Sequence, residues 1–173
     1  MCLFPNDLHV PSIKKEKSAE EQYRLSLKDA ANALVECYKL KHTDTDISLA
    51  ARQSLTKLFL PSQKGFDKGF SCHAGHSGFW LNWKGEMLPC GMFDEPKISL
   101  LKSTFKQCWN YIVDTTQNMH FCSECLTCNK RNVCSVCPAS CYTETGSVTG
   151  CPSYVCEFTS EQIKLLENII LNK

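Results

Sequence analysis

The chain of 173 residues lacks an excess of either charge, a long apolar run, and any repeat or low-complexity tract. Nineteen Lys and Arg against eighteen Asp and Glu leave a net charge of +1, which gives no electrostatic footing for nucleic acid or an anionic membrane surface. No apolar stretch reaches the roughly 18–20 residues of a membrane span. The opening MCLFPNDLHVPSIKKEK has no charged region followed by a long apolar core, so it does not read as a secretory signal. No acid–base pair, nucleophile triad or phosphate loop stands out, and Glu86, Asp94 and Glu144 read as solvated or structural carboxylates. A cytoplasmic, reducing compartment is therefore expected, where dense cysteine points to metal or redox chemistry.

Cysteine is what the chain has in abundance. The total of thirteen is odd, which rules out a fully paired disulfide framework within one chain. Eleven of them lie between Cys72 and Cys156, leaving Cys2 and Cys37 outside. The stretch CSECLTCNKRNVCSVCPASC, residues 122–141, carries six in twenty positions.

The pattern along the chain divides it. Residues 1–70 read as helical, with Ser26-Leu27-Lys28-Asp29 as a capping box before Leu27, Ala30, Ala31, Leu34, Cys37 and Tyr38 at helical spacing. Cys37 on that stripe reads as a buried small hydrophobe. A second helix is expected from near Asp46 to Leu60, stopped by Pro61, with Gly65, Asp67 and Gly69 as a linker. In GFWLNWKGEMLPC, Phe79, Leu81 and Trp83 alternate with Trp80 and Asn82, and Lys84-Gly85 supplies a hairpin turn. Leu101, Phe105, Cys108, Trp109 and Ile112 then make one helical stripe, with Cys108 in the core. From Phe121 to Cys156 there is little periodicity, and a segment so poor in core residues needs staples or metal. A last helix is expected to begin at the capping pattern Thr159-Ser160-Glu161-Gln162 and to carry Ile163, Leu166, Ile169 and Ile170.

Spacing narrows the metal. Two CxxC knuckles that embrace one zinc are normally separated by about 12–20 residues. Here Cys125-x2-Cys128 and Cys134-x2-Cys137 are separated by five. A single tetrahedral site on these four stays open, but leaves the surplus thiols unexplained. Cys122, Cys125 and Cys128 match the first three members of the ferredoxin run C-x2-C-x2-C-x3-C-P, whereas the fourth position is Asn132. Seven or more thiolates in a core-poor region suit two clusters better than one.

Taken together, Cys72-x12-Gly85-x4-Cys90, then Cys125-x2-Cys128-x5-Cys134 with Cys137 just after, then a distant Cys156, resembles the SPASM domain. That domain is the extension of many radical SAM enzymes that modify peptides or proteins, and it holds auxiliary 4Fe–4S clusters. Cys72-His-Ala-Gly75, Phe79-Trp80, Gly85-Glu-Met-Leu-Pro-Cys90, Phe105, Trp109, Cys137-Pro-Ala139, Glu144-Thr-Gly146 and Tyr154-Val-Cys156 agree with it, over about residues 70–160. Residues 1–70, including Tyr23-Arg-Leu-Ser26, are similar to the end of the radical SAM barrel.

The resemblance implies an α+β, irregular, cysteine-rich fold: a short β-hairpin, a helix and metal-stapled loops, preceded by a helical barrel remnant. Its divisions are residues 1–70, the iron–sulfur domain at 71–160, and a C-terminal helix at 161–173. It implies one 4Fe–4S cluster on Cys72, Cys90 and Cys137, and a second on Cys125, Cys128, Cys134 and Cys156. Cys141 rivals Cys137, because the usual spacing before that cysteine is three residues and here it is two. The first cluster has an open iron or borrows Cys141, Cys122 or a histidine. His73 and His76 beside Cys72 are expected in surface or supporting roles, Cys122 and Cys151 stay open between spare thiol and ligand, and Lys130-Arg131 reads as a solvated pair.

One motif of the resembled family is absent. Radical SAM chemistry needs CxxxCxxC, and after Cys137 and Cys141 the third thiol falls where Glu144 stands. A complete barrel of eight βα units also takes about 200 residues or more. The chain alone is not expected to cleave S-adenosylmethionine, which only an intact relative would use. Sulfatase-maturing members carry Asp after the second cysteine, where this chain has Gly91, so formylglycine-type chemistry is disfavoured. The expected function is an iron–sulfur module for electron transfer or substrate positioning. It would be a truncated gene product of a maturase or a partner working in trans with a radical SAM subunit, and the intact enzyme's substrate would be a peptide or protein. The competing reading is a non-redox, zinc-stabilised module that binds a peptide or partner.

Overall fold

The computed structural model describes residues 25–40, 42–60, 69–70, 72–120 and 122–171. Cys2, Tyr23, Pro61, Gly65, Asp67 and Phe121 lie outside these. Among the described residues the architecture is α+β, with six α-helices and a small antiparallel sheet of three strands.

Helix α1 (Leu27–Lys39) starts where the Ser26 hydroxyl accepts from the Asp29 amide at 3.1 Å. Helix α2 (Asp44–Thr56) begins two residues before the expected start, because Thr43 and Asp46 form a reciprocal capping box. It passes into a 3₁₀ turn over Lys57–Phe59. Both helices pack on the long helix α6 (Ser153–Leu171), through Ala51 and Leu166 with Tyr38, Leu55, Ile169 and Ile170 around them. The described part of residues 25–60 contains no strand. Cys37 is exposed, contrary to the expected burial, since the face that packs is Ala30, Ala31, Leu34 and Val35.

Strands β1 (Trp80–Leu81), β2 (Glu86–Leu88) and β3 (Ile98–Ser99) lie in that order. The expected hairpin joins β1 to β2, pairing Trp80 with Leu88 and Leu81 with Met87. Its turn is held by Asn82, whose side-chain oxygen accepts the amides of Lys84 and Glu86, both at 3.0 Å. Gly85, at φ +71°, supplies the left-handed residue. Met87 in the central strand is fully buried against Cys108 and Ile112 of helix α3 (Phe105–Gln117), so Cys108 is a core residue as expected. Leu101 lies outside α3, which Thr104 caps.

The region with little periodicity contains two short helices, α4 (Ser123–Leu126) and α5 (Pro138–Thr145). Cys137 caps α5, Pro138 occupies its first turn, and Gly146 at φ +77° closes it. The last helix begins at Ser153, eight residues before the expected helix start at 161 and within the stretch assigned to the cysteine-rich domain. Thr159 and Ser160 do not cap it. Their hydroxyls donate back along the helix to the carbonyls of Val155 and Cys156, both at 2.8 Å, so the chain runs through them without a break.

Two side chains tie the cysteine-rich loop to the helices. The Asn132 amide donates to the carbonyls of Lys57, at 3.1 Å, and Leu60, at 2.7 Å. Lys130 donates to Ser160 Oγ at 2.6 Å. Arg131 is only 5% exposed, so Lys130-Arg131 is not the solvated pair expected from sequence. No described helix is long and apolar enough to cross a membrane.

Candidate metal centre

The twelve described cysteines are all free thiols, and those from Cys72 to Cys156, apart from Cys108 in the core under the sheet, fall into three neighbourhoods. The first holds Cys72, Cys90 and Cys137. Cys72 rides on a loop in which the amide and carbonyl of Gly75 and Gly78 close a tight turn, 3.1 Å apart. That turn rests on the end of α3, where Thr116 is buried beneath Gly75. Cys90 follows β2, and Cys137 caps α5. Phe70, Phe93 and Ala139 form the apolar wall against which Cys90 and Cys137 pack. Tyr142 adds an edge contact to Phe93, with ring centroids 5.1 Å apart.

Each of these three sulfurs accepts a backbone N–H from a residue just after it. Ala74 donates to Cys72 Sγ at 3.5 Å, Met92 to Cys90 Sγ at 3.4 Å, and Ser140 to Cys137 Sγ at 3.5 Å. An N–H placed against a sulfur is the hydrogen bond that also supports a thiolate ligand once metal is bound. Burial raises the Cys90 pKa. The Met92 amide offsets part of that rise, and the neighbouring Cys137 and Cys72 add to it. A bound cation would relieve this repulsion. His73 and His76 are exposed and engaged elsewhere, His73 Nδ1 with Ser77 Oγ at 2.8 Å and His76 Nε2 with the Phe70 carbonyl at 3.1 Å. Gly91 lies under the Trp80 indole, whose ring atoms would stand 3.0–3.2 Å from a Cβ placed there, so this position has room for glycine and little else.

The second neighbourhood is Cys128, Cys134 and Cys156. Burial raises the Cys156 pKa, the contact from Cys151 offsets part of the rise, and the neighbouring Cys134 and Cys128 add to it. Thr159 Oγ1, which reaches out from the middle of α6, donates to Cys134 Sγ at 3.4 Å. The hydroxyl that sequence reading took for a helix cap thus faces a candidate ligand.

The third neighbourhood is the most closely gathered. Cys122 and Cys125 bring their sulfurs within 3.1 Å, and Cys151 joins them so that all three lie within 4.8 Å. Cys141 is buried in the same cluster, with Val136 and Val155. The resemblance gives Cys125 to the second cluster; its thiol lies against Cys122 and Cys151. Cys151 also approaches Cys156 at 3.9 Å, which links the second and third groups. In sequence Cys122 and Cys151 stay open between spare thiol and ligand, and with 28 residues between them no spacing rule joins the two.

Burial pushes the Cys141 thiol up to about 12, with Cys137, Cys122 and Cys151 adding to the shift. Cys125 is also raised, by burial and then by Cys122. In metal-free protein, unfolded thiols release protons near pH 8.5 that the folded ones keep, so stability falls as pH rises from about 9 to about 12. Urea midpoints measured at pH 8 and pH 10.5 should show that fall, and Cys141→Ala should make it shallower.

The described sites are thus able to hold metal through cysteine thiolates. No protein-family model, curated protein or solved structure matches the chain.

Proposed function

We propose that this chain is an iron–sulfur module of the SPASM type, with two auxiliary 4Fe–4S clusters serving a radical SAM maturase that acts on a peptide or protein. The observation that carries this reading is the convergence of Cys72, Cys90 and Cys137, which are far apart in sequence, with a backbone N–H directed at each sulfur. Hydrogen bonds to sulfur, together with burial, are the means by which a protein sets the potential of a thiolate-bound cluster. The donor set fits, because soft thiolates select iron–sulfur clusters or zinc.

The first cluster would sit among Cys72, Cys90 and Cys137. The second would take Cys128, Cys134 and Cys156, with Cys125 as the ligand that the resemblance adds. Bound clusters would accept or pass a single electron, or hold a substrate group at an iron without a protein ligand. The chain's own contribution is to orient the thiolates, to supply the N–H and Thr159 hydrogen bonds, and to keep water from Cys90 and Cys137 with Phe70, Phe93 and Ala139. A radical SAM subunit would supply the S-adenosylmethionine chemistry, for which this chain lacks the CxxxCxxC loop.

Anaerobic reconstitution with iron and sulfide tests the reading. The expected product is brown and carries about eight iron and about eight sulfide per chain. Colourless protein that takes up only zinc would overturn it in favour of the zinc-stabilised binding module.

A further inference from the structure

We propose that Cys122, Cys125, Cys141 and Cys151 form a separate site for a single zinc ion, beside the two cluster sites. Cys122, Cys141 and Cys151 lie outside the ligand sets proposed above for the two clusters, yet the fold gathers Cys122 and Cys151 with Cys125 and buries Cys141 in the same packed group. Cys122 and Cys125 lie at the two ends of one tight turn, in which the Cys125 amide donates to the Cys122 carbonyl at 3.1 Å. This is the knuckle that a CxxC spacing gives to zinc. Cys151 arrives from the loop before α6 and Cys141 from inside α5. The ligands thus come from α4 and its approach, from α5 and from the lead-in to α6, where a staple has most to hold.

Distance separates a single ion from a cluster. Zn–S bonds of about 2.3 Å place the sulfurs of a tetrahedral site about 3.8 Å apart. The sulfurs of Cys122, Cys125 and Cys151 all lie within 4.8 Å of one another, close to that spacing. Thiolates on the corners of a four-iron cube stand farther apart, because the cube's own edges intervene. Cys122 and Cys141 are both 0% exposed, so water has no approach from their side. Cys151 is exposed and leaves a path by which the ion enters.

Zinc suits this position on chemical grounds. Four thiolates in tetrahedral array are a closed structural site, with no open position for a substrate. The surrounding region is short of apolar residues, and there metal binding supplies folding free energy directly. The inference departs from the cluster reading at one residue. It takes Cys125 for the ion and leaves the second cluster the three thiolates of Cys128, Cys134 and Cys156.

The test uses the full chain, reconstituted anaerobically with iron and sulfide and then offered zinc. One tightly held zinc per chain is expected after dialysis against a chelator, and its X-ray absorption should show four sulfurs at about 2.3 Å. Cys151→Ser, at an exposed position, should lower retained zinc at least tenfold while iron and sulfide stay unchanged. Cys122→Ser should do the same, and the paired variants guard against a simple folding defect. Loss of iron together with zinc in Cys151→Ser would overturn the proposal. So would zinc retention equal to the unmodified chain, a single iron in the site, or a Cys122–Cys125 disulfide in its place. Should the chain take up no iron at all, the zinc count and its loss in Cys151→Ser still decide this inference separately.

Discussion

Replacing Cys137 with serine is expected to halve the iron and sulfide of the reconstituted chain, from about eight of each to about four. Cys137 is both the N-cap of α5 and, with Cys72 and Cys90, one of the three described thiols grouped in the first neighbourhood. Serine is a favoured N-cap, so the substitution keeps the helix start while removing the soft ligand. Two thiolates, Cys72 and Cys90, then remain, too few to keep a four-iron cluster. The second cluster should be retained, because its ligands lie in a different packed group. Iron and sulfide assays on the purified variant decide the point, with far-ultraviolet circular dichroism as the control for the fold. Unchanged iron in Cys137→Ser, with the loss appearing in Cys141→Ser, would assign the ligand to Cys141 and reverse the grouping drawn from packing.

Gly75→Ala is expected to destabilise the metal-loaded chain by about 3 kcal/mol, the sum of a left-handed backbone cost and an overpacking cost. Gly75 sits at φ +68°, and a Cβ there would run into the Thr116 side chain. Thr116 has little room to retreat. Its hydroxyl is committed to the carbonyls of Ile112, at 2.8 Å, and Val113, at 3.1 Å. A thermal melt should show a fall of roughly 10 °C for a chain of this size. The damage should also reach the first cluster, because Gly75 anchors the loop that carries Cys72. A variant that melts like the unmodified chain would show that the loop does not depend on the end of α3.

Much of the fold is legible in the sequence where local chemistry decides it. The cap of α1, the turn at Lys84-Gly85 and the core position of Cys108 follow from side-chain hydrogen bonds and periodicity that act within a few residues. Reading failed where tertiary contacts choose among options that are locally similar. Cys37 shares a helical stripe with Ala30, Ala31 and Leu34, yet the buried face turns toward Val35 and leaves Cys37 exposed. Thr159 fits a cap by composition, yet the helix already starts at Ser153 and its hydroxyl bonds back to the Val155 carbonyl, with Cys134 Sγ 3.4 Å away. Strand β3 is two residues long, too short to carry an alternation. Helix α5 did carry a signal, Pro138 in its first turn and Gly146 after its end, which cysteine density obscured.

The site divides in the same way. The resemblance groups Cys72 with Cys90, and Cys128 with Cys134, and in the fold a hairpin bridges the first pair and a short loop the second. It gives no access to the meeting of Cys122 with Cys151, which depends on how α5 and α6 fold back. Arg131 is a further case. Charge predicts solvent, whereas the loop between Cys128 and Cys134 turns its side chain inward.

That loop is five residues long, and it fastens the helical layer at two points: Asn132 holds the 3₁₀ turn that continues α2, and Lys130 holds α6. It therefore works as a transmission between the metal and the helices. Any ligand that fixes Cys128 and Cys134 also fixes the strut between them, and part of its binding free energy is delivered to α2 and α6. Occupancy of a site buried among loops becomes readable on the far side of the molecule, as a change in how firmly those helices are held.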